Sequence, residues 1–148
     1  MAASTTSSLP ARGSVVALLG VLGALAVGGC GGSDDDASAR QAGDEASVRR
    51  VLSDLQAAAV AGDGKQICAE IFTPKLATSV TTSSTSGSCA KEVRRNLFTP
   101  TTKLTVQSVA VADEANATAR VEEASGTVST VYLVRQSGRW RIRSIQAI

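Results

Sequence analysis

The apolar residues of this chain follow three successive patterns, and each pattern predicts a different kind of segment. An almost unbroken apolar run covers Ser14–Val27. From Asp44 to Pro100 the apolar residues recur at helical spacing, and beyond Pro100 they alternate with polar residues. A period near 3.6 is typical of a helix with one buried face, and a period of two is typical of a strand. We therefore expect helices followed by a sheet, after an N-terminal segment of another kind.

The helical region is expected to begin with one long amphipathic segment. Asp44 can cap its N-terminus, and Gly62-Asp63-Gly64 ends it. Its apolar positions fall at i, i+3, i+4 and i+7 and form one stripe, made of Val48, Val51, Leu52, Leu55, Ala58 and Ala59. Two shorter helices follow, the first interrupted at Thr73-Pro74 with a further turn over Lys75–Val80, and the second capped by Ser88. Their inward-facing residues are expected to be Ile67, Cys68, Ile71 and Phe72 in the first and Val93, Leu97 and Phe98 in the second.

Four strands are expected after Pro100, where the period changes to two. The alternation slips once between Val106 and Val109, which predicts a bulge in the first strand. Turns are expected at Asp113–Ala115 and Ser125-Gly126, so that successive strands run antiparallel. Helices followed by a meander of this kind predict an α+β fold, with N-terminal helices packed on a curved four-stranded sheet.

The last hairpin determines which side chains face the helices. A Ser-Gly dipeptide predicts a two-residue turn, which places Leu133 opposite Ile142 on the face that also holds Trp140. Tyr132 is then expected on the outer face, opposite Arg143.

The N-terminal apolar run is typical of an export signal. It is shorter than the ~20 residues that a membrane-spanning helix needs, which disfavours the alternative of a transmembrane anchor. The segment before it carries Arg12 as its one charged residue, and small residues follow the run. This three-part plan predicts that residues 1–29 are a signal peptide.

The end of the run, Val27-Gly28-Gly29-Cys30, resembles a bacterial lipobox. In a lipobox the cysteine thiol receives diacylglycerol before the signal is cut ahead of it, and Val27, Gly28 and Gly29 would be the residues that the signal peptidase recognises. A chance cysteine at the edge of an apolar run is the alternative. Two acyl chains anchor a protein stably, whereas one binds only marginally. The resemblance therefore predicts a protein anchored through Cys30 to the cell membrane, on its extracytoplasmic face.

A polar spacer follows the cysteine. The sequence "GGSDDDASARQAG" has no apolar periodicity, and so residues 30–43 are interpreted as the lipidated cysteine and a flexible tether. Asp34–Asp36 could alternatively bind a cation. The folded domain is then expected to cover residues 44–148.

Two further cysteines remain once Cys30 is assigned to lipid. In an oxidising compartment Cys68 and Cys89 have only each other as partners, which favours a disulfide. Two reduced buried cysteines, or a metal pair without further ligands, are the alternatives.

Two stretches of the domain suggest a family. "VRRVLSDLQAAAVAGDGKQICAEI" resembles the opening of a nuclear transport factor 2-like domain, and "VYLVRQSGRWRIRSIQ" is similar to the closing hairpin of that superfamily. The cysteine pair resembles that of an uncharacterised subgroup of bacterial lipoproteins. The resemblance implies a cone, in which a curved sheet wraps a helix and often encloses a pocket.

Composition removes several kinds of chemistry. The chain has no histidine, and its 15 basic and 13 acidic residues leave a net charge of +2, which gives no electrostatic case for nucleic acid. Zinc spacing, a Ser-His-Asp set and a phosphate-binding glycine loop are absent from the sequence, so no cofactor or metal is expected. Glu123 is the acidic candidate for a pocket, because it continues the inward face of Ala119 and Val121; the alternative is a carboxylate that reaches water at the strand end.

Two classes of function remain. The first is a non-catalytic binding module for a small apolar ligand or a protein partner, with the outer sheet face available for a homodimer. The second is a lyase or isomerase that uses a pocket in the cone, as ketosteroid isomerase does with an aspartate and a tyrosine. In the last strand Arg139, Arg141 and Arg143 could contact anionic lipid headgroups near the anchor, or they could form the solvated face of an edge hairpin.

Overall fold

The structure is a computed structural model that describes residues 33–148, with side chains from Asp36 onward. The predicted signal peptide and the lipobox Val27-Gly28-Gly29-Cys30 lie outside the described residues. The described residues form four helices and one four-stranded antiparallel sheet, which confirms the predicted α+β class.

The helices occupy the first half of the described chain, and two of them end in a π-helical turn. They are α1 (Ser33–Ala61), α2 (Gly64–Gln66) with the π-helical turn Ile67–Ile71, α3 (Pro74–Ser83), and α4 (Cys89–Glu92) with the π-helical turn Val93–Leu97. The strands are β1 (Leu104–Val111), β2 (Asn116–Glu123), β3 (Val128–Gln136) and β4 (Arg139–Ala147).

Helix α1 buries the predicted stripe apart from Val51, which is half-buried. Val48, Leu52 and Leu55 are at most 1% exposed, and the alanines of the stripe are also buried. The helix ends where it was expected to end, at Gly62, whose positive φ of 66° is readily adopted by a residue without a β-carbon.

The start of α1 differs from the prediction. The helix begins at Ser33 rather than at Asp44, so the segment predicted as an irregular tether is helical from Ser33 to Gly43. Residues 36–43 are exposed. They include good helix formers, and acidic residues in the first turn favour the positive end of the helix dipole. A helix with no buried face leaves no apolar period, which is why the sequence pattern did not reveal it.

The sheet has the predicted order β1-β2-β3-β4. The register of β1 against β2 shifts between Val106 and Ser108, which confirms the predicted bulge. In the last hairpin Leu133 pairs with Ile142, as predicted. A second bulge then shifts the register, so that Tyr132 pairs with Ser144 and not with Arg143.

One face of the sheet packs on the helices. Ala117, Val131, Leu133 and Ile142 belong to the same buried cluster as the apolar face of α1 and the π-helical turn after α2, and β1 and β4 make most of the contacts between the sheet and the helices. Phe72 leads out of that turn and bridges to Ile142 in parallel, and the next backbone N–H, of Thr73, donates to the Ile142 carbonyl at 2.8 Å.

The π-helical turn after α4 corrects one core assignment. The Phe98 N–H donates to the carbonyl of Val93, five residues earlier, at 2.8 Å. The wider turn rotates the following side chains relative to an α-helix. Phe98 is therefore buried as expected, whereas Leu97, predicted to face inward, is 49% exposed.

The disulfide between Cys68 and Cys89 is present. It joins the π-helical turn after α2 to the first residue of α4, with 6.2 Å between the two α-carbons. The bond therefore links the π-helical turn after α2 to α4 across α3 and the low-complexity stretch Thr81–Ser88.

Candidate functional site

A cavity of about 400 Å³ opens between α1, the π-helical turn after α2 and the β3–β4 hairpin. We call it the hairpin cavity. Its charged lining residues are Arg50, Asp54, Glu70, Arg135 and Arg139. Val51, Ile71 and Trp140 contribute apolar wall.

Helical spacing explains the wall that α1 provides. Ser47, Arg50, Val51 and Asp54 lie at i, i+3, i+4 and i+7, and so they share one side of the helix. This side of α1 borders the buried stripe, because the buried residues Val48 and Leu55 directly follow Ser47 and Asp54 in the chain. The cavity thus forms where the polar margin of α1 meets the end of the sheet.

Three side chains connect the hairpin to α1. Arg135 and Trp140 are directly opposite each other in the β3–β4 pairing. The guanidinium of Arg135 lies over the indole ring at 4.7 Å from its centroid, and it also donates to the carboxylate of Asp44. Asp44 is therefore not a helix cap, and instead it ties α1 to a strand 91 residues further along the chain.

Two N–H groups in this wall are buried and have no hydrogen-bond partner among the described residues: Nε of Arg135 and Nε1 of Trp140. Trp140 is 5% exposed as a residue. A buried donor without an acceptor costs about 1–3 kcal/mol, so such a group in a folded protein calls for a specific explanation.

The remaining charges of the cavity are not engaged by the protein. Within residues 36–148, Arg50, Asp54, Glu70 and Arg139 take part in no side-chain hydrogen bond and no ion pair. Two cationic and two anionic side chains, all four of them exposed, thus line one open cavity and remain available to a ligand.

Glu123 does not line the hairpin cavity. The residue continues the inward alternation of β2, as predicted, but it is exposed at the end of the strand, opposite Leu104. Its N–H donates to Thr127 across the turn at 2.9 Å. This is the opposite end of the sheet from Trp140, so Glu123 lies away from the hairpin cavity, and its role in a pocket stays a prediction.

Tyr132 lies on the outer face, as predicted, and is half-buried there. Glu123 belongs to the other alternation of the sheet. The two side chains therefore do not converge on one cavity.

The three arginines of β4 have different surroundings. Arg139 lines the hairpin cavity. Arg141 donates through Nη1 to the carbonyls of Ala69 at 2.7 Å and Phe72 at 3.0 Å, and so it closes the end of the π-helical turn. Arg143 lies at the bulge and is exposed. Strand alternation predicted none of these separate roles.

The turn between β1 and β2 is organised by Asp113. Its carboxylate accepts the backbone N–H of Ala115 at 2.7 Å and also bonds the side-chain amide of Asn116. These hydrogen bonds favour the ionised form and hold the pKa of Asp113 below its ordinary value.

The described residues were also considered as a metal site and as a membrane-spanning segment, and they form neither. Within the described residues, no group of three or more His, Cys, Asp or Glu side chains could hold a metal ion. Among the helices described for residues 33–148, none is long and apolar enough to cross a membrane.

Comparison with known proteins gives no relative: no protein-family model matches the chain, and no curated protein or solved structure matches it significantly.

Proposed function

We propose that this chain is a bacterial lipoprotein whose folded domain is a non-catalytic binding module, held on the extracytoplasmic face of the cell membrane by lipid on Cys30. The lipobox pattern supports the anchor. The Cys68–Cys89 disulfide also supports export, because disulfides persist mainly in oxidising compartments.

The fold supports the proposed nuclear transport factor 2-like relationship. A long first helix, a Gly-Asp turn, short helices and a closing antiparallel sheet occur in the order that this family implies. We therefore propose that the domain belongs to that superfamily.

The observation that carries the binding role is the hairpin cavity, with its four unengaged charged side chains and its buried tryptophan. Ligand sites are concave spaces of about 300–1,000 Å³ that combine apolar wall with a few polar groups. Because this lining is charged, it favours a polar ligand or a charged segment of a protein partner over a wholly apolar molecule.

The catalytic alternative lacks the arrangement that it requires. An isomerase site of the ketosteroid type needs an acid and a tyrosine in one dry pocket. Glu123 and Tyr132 lie on opposite faces of the sheet, and so no observation favours this second function.

The anchor is tested by labelling cells with radioactive palmitate. The natural chain should take up label and lose residues 1–29, and Cys30→Ser should do neither. A double Cys68→Ser, Cys89→Ser variant is the matched control and should still be labelled, since its lipidation cysteine is intact. A Cys30→Ser chain that is labelled and cut like the natural one would contradict the proposal.

The binding role is tested by native mass spectrometry of Gly31–Ile148, whose described part, residues 33–148, lies in one compact unit; a cleavable export signal replaces residues 1–30, and the protein is purified from the exported fraction of cells. We expect a bound species that is lost when Arg50 and Arg139 are both changed to Gln. A domain with no bound species, or one whose bound species survives both changes, would oppose the assignment of the cavity.

A further inference from the structure

We propose that the hairpin cavity binds a short peptide with free termini, its carboxylate held by Arg50 and Arg139 and its ammonium group by Asp54 and Glu70. This inference rests on the proposed binding function, but it does not depend on the lipid anchor.

The charges that line the hairpin cavity are the first support for a peptide ligand. A site for a simple anion is built from cations and N–H donors and gains nothing from carboxylates, whereas this cavity presents two unengaged residues of each sign. Such a lining complements a ligand that itself carries one positive and one negative group. Charge-assisted hydrogen bonds to both groups would then satisfy the ligand and the wall together.

The distance between Arg50 and Asp54 along α1 is the second support for a peptide ligand. Arg50 and Asp54 are four residues apart on one side of the helix, a separation of about 6 Å along its axis. The two termini of an extended dipeptide are about 7 Å apart. One face of α1 can therefore hold both ends of a ligand of this length, with Glu70 and Arg139 facing it from the other walls of the cavity.

Two buried N–H donors, which are separate from the four exposed charges, are the third support for a peptide ligand. The Nε1–H of Trp140 and the Nε–H of Arg135 both lack a hydrogen-bond acceptor within the described residues. Both belong to residues that line the cavity. Both atoms are buried beneath the cavity surface, so a peptide carboxylate or carbonyl, which supplies only acceptors, would reach them only if the two side chains turned toward the ligand.

The apolar part of the wall fits a peptide rather than a simple zwitterion. Val51, Ile71 and Trp140 lie among the charged groups. They offer contacts to the methyl groups of small side chains, while a ligand without side chains would leave them in water.

The test uses the indole N–H of Trp140, the only tryptophan of the chain, as a single signal in a nitrogen–proton correlation spectrum of Gly31–Ile148. The probe is di-alanine, titrated to about 10 mM, since millimolar dissociation constants are the weak limit of specific binding. We expect a saturable shift of the indole signal. Di-alanine amide, which lacks the carboxylate, and N-acetyl-di-alanine, which lacks the ammonium group, should each bind at least roughly tenfold more weakly.

The protein side of the test compares two adjacent arginines of α1. Arg50→Gln should weaken di-alanine binding by roughly tenfold or more. Arg49→Gln carries the same change of charge on the same helix but lies outside the hairpin cavity, and it should bind like the natural sequence. The spectrum itself reports whether each variant is folded.

Three outcomes would overturn the inference: no saturable shift with di-alanine, equal binding of the amide, or equal losses from Arg49→Gln and Arg50→Gln. The first would leave the proposed binding function in place if the purified domain still carried a different species that depends on Arg50 and Arg139. If di-alanine does not bind and the purified domain carries no species that depends on Arg50 and Arg139, the hairpin cavity is not a ligand site.

Discussion

Gly64 is the position where the addition of a single methyl group should disturb the fold most directly. It is the first residue of α2 and is buried against α4. A β-carbon built there would overlap the carbonyl oxygen of Ala90 and lie 3.0 Å from its carbonyl carbon. Because this obstacle is backbone, it cannot rotate away, and the two helices must separate. The Cys68–Cys89 disulfide links the same two segments and restricts that movement.

We expect Gly64→Ala to destabilise the domain by about 1–3 kcal/mol, the usual range for an overpacked interior. For a domain of this size each kcal/mol lowers the melting temperature by about 4 °C. Thermal unfolding followed by circular dichroism should therefore show a decrease of roughly 4–12 °C.

The matched control is Gly43→Ala. Gly43 lies within α1, and no atom lies within 4 Å of the position that its β-carbon would occupy. Alanine in an exposed helix is favoured over glycine by about 0.5–1 kcal/mol, so this variant should melt slightly higher. An unchanged melting temperature for Gly64→Ala would refute the close packing of α2 on α4, and a lower one for Gly43→Ala would refute the early start of α1.

Replacement of both Cys68 and Cys89 by serine should cost about 3 kcal/mol, because the bond closes a loop with a sequence separation of 21; an equal melting temperature would contradict a stabilising crosslink. Arg141→Gln should destabilise by about 1–2 kcal/mol in urea unfolding, because two carbonyls lose a charged donor, whereas Arg143→Gln, at the exposed bulge, should have no effect. The carboxyl of Asp113 should titrate below the ordinary aspartate value in a carbon-13 NMR titration. Since its folded pKa is lowered, its contribution to stability is present above the unfolded pKa and is lost as the pH falls through the folded one, so an alanine variant should lose this part of the acid dependence.

Elements defined by local sequence could be predicted closely. The slip in alternation after Val106 located the bulge of β1, and the Ser-Gly dipeptide gave the pairing of Leu133 with Ile142. These features depend on a few neighbouring residues and on the two-residue period of a strand. The Cys68–Cys89 pair was predictable because, once Cys30 was assigned to lipid, each cysteine had one partner.

Structural features that leave no regular spacing of apolar residues in the sequence could not be predicted in this way. The N-terminal part of α1 buries no stripe, and the π-helical turn that exposes Leu97 breaks the 3.6-residue spacing on which the prediction relied. Glu123 lies on the inward face of β2, as its alternation predicts. Whether a residue on that face is buried depends on how far the helices extend along the sheet, and the sequence near Glu123 does not contain that information.

The candidate site was missed because its residues come from distant parts of the chain. Asp44, Arg135 and Trp140 come together only after α1 has packed against the last hairpin. The alternation of arginines in β4 was visible in the sequence, but their separate tasks were not. A lone tryptophan beside a hairpin turn was the one local signal that could have directed attention to this end of the sheet.

The most direct test of the central proposal is the intact mass of the mature protein extracted from membranes of the cells that make it. The account predicts a chain that begins at Cys30 and carries a diacylglyceryl adduct, with the mass of the two remaining cysteines joined by a disulfide. A mature chain that begins elsewhere and carries no lipid would contradict it.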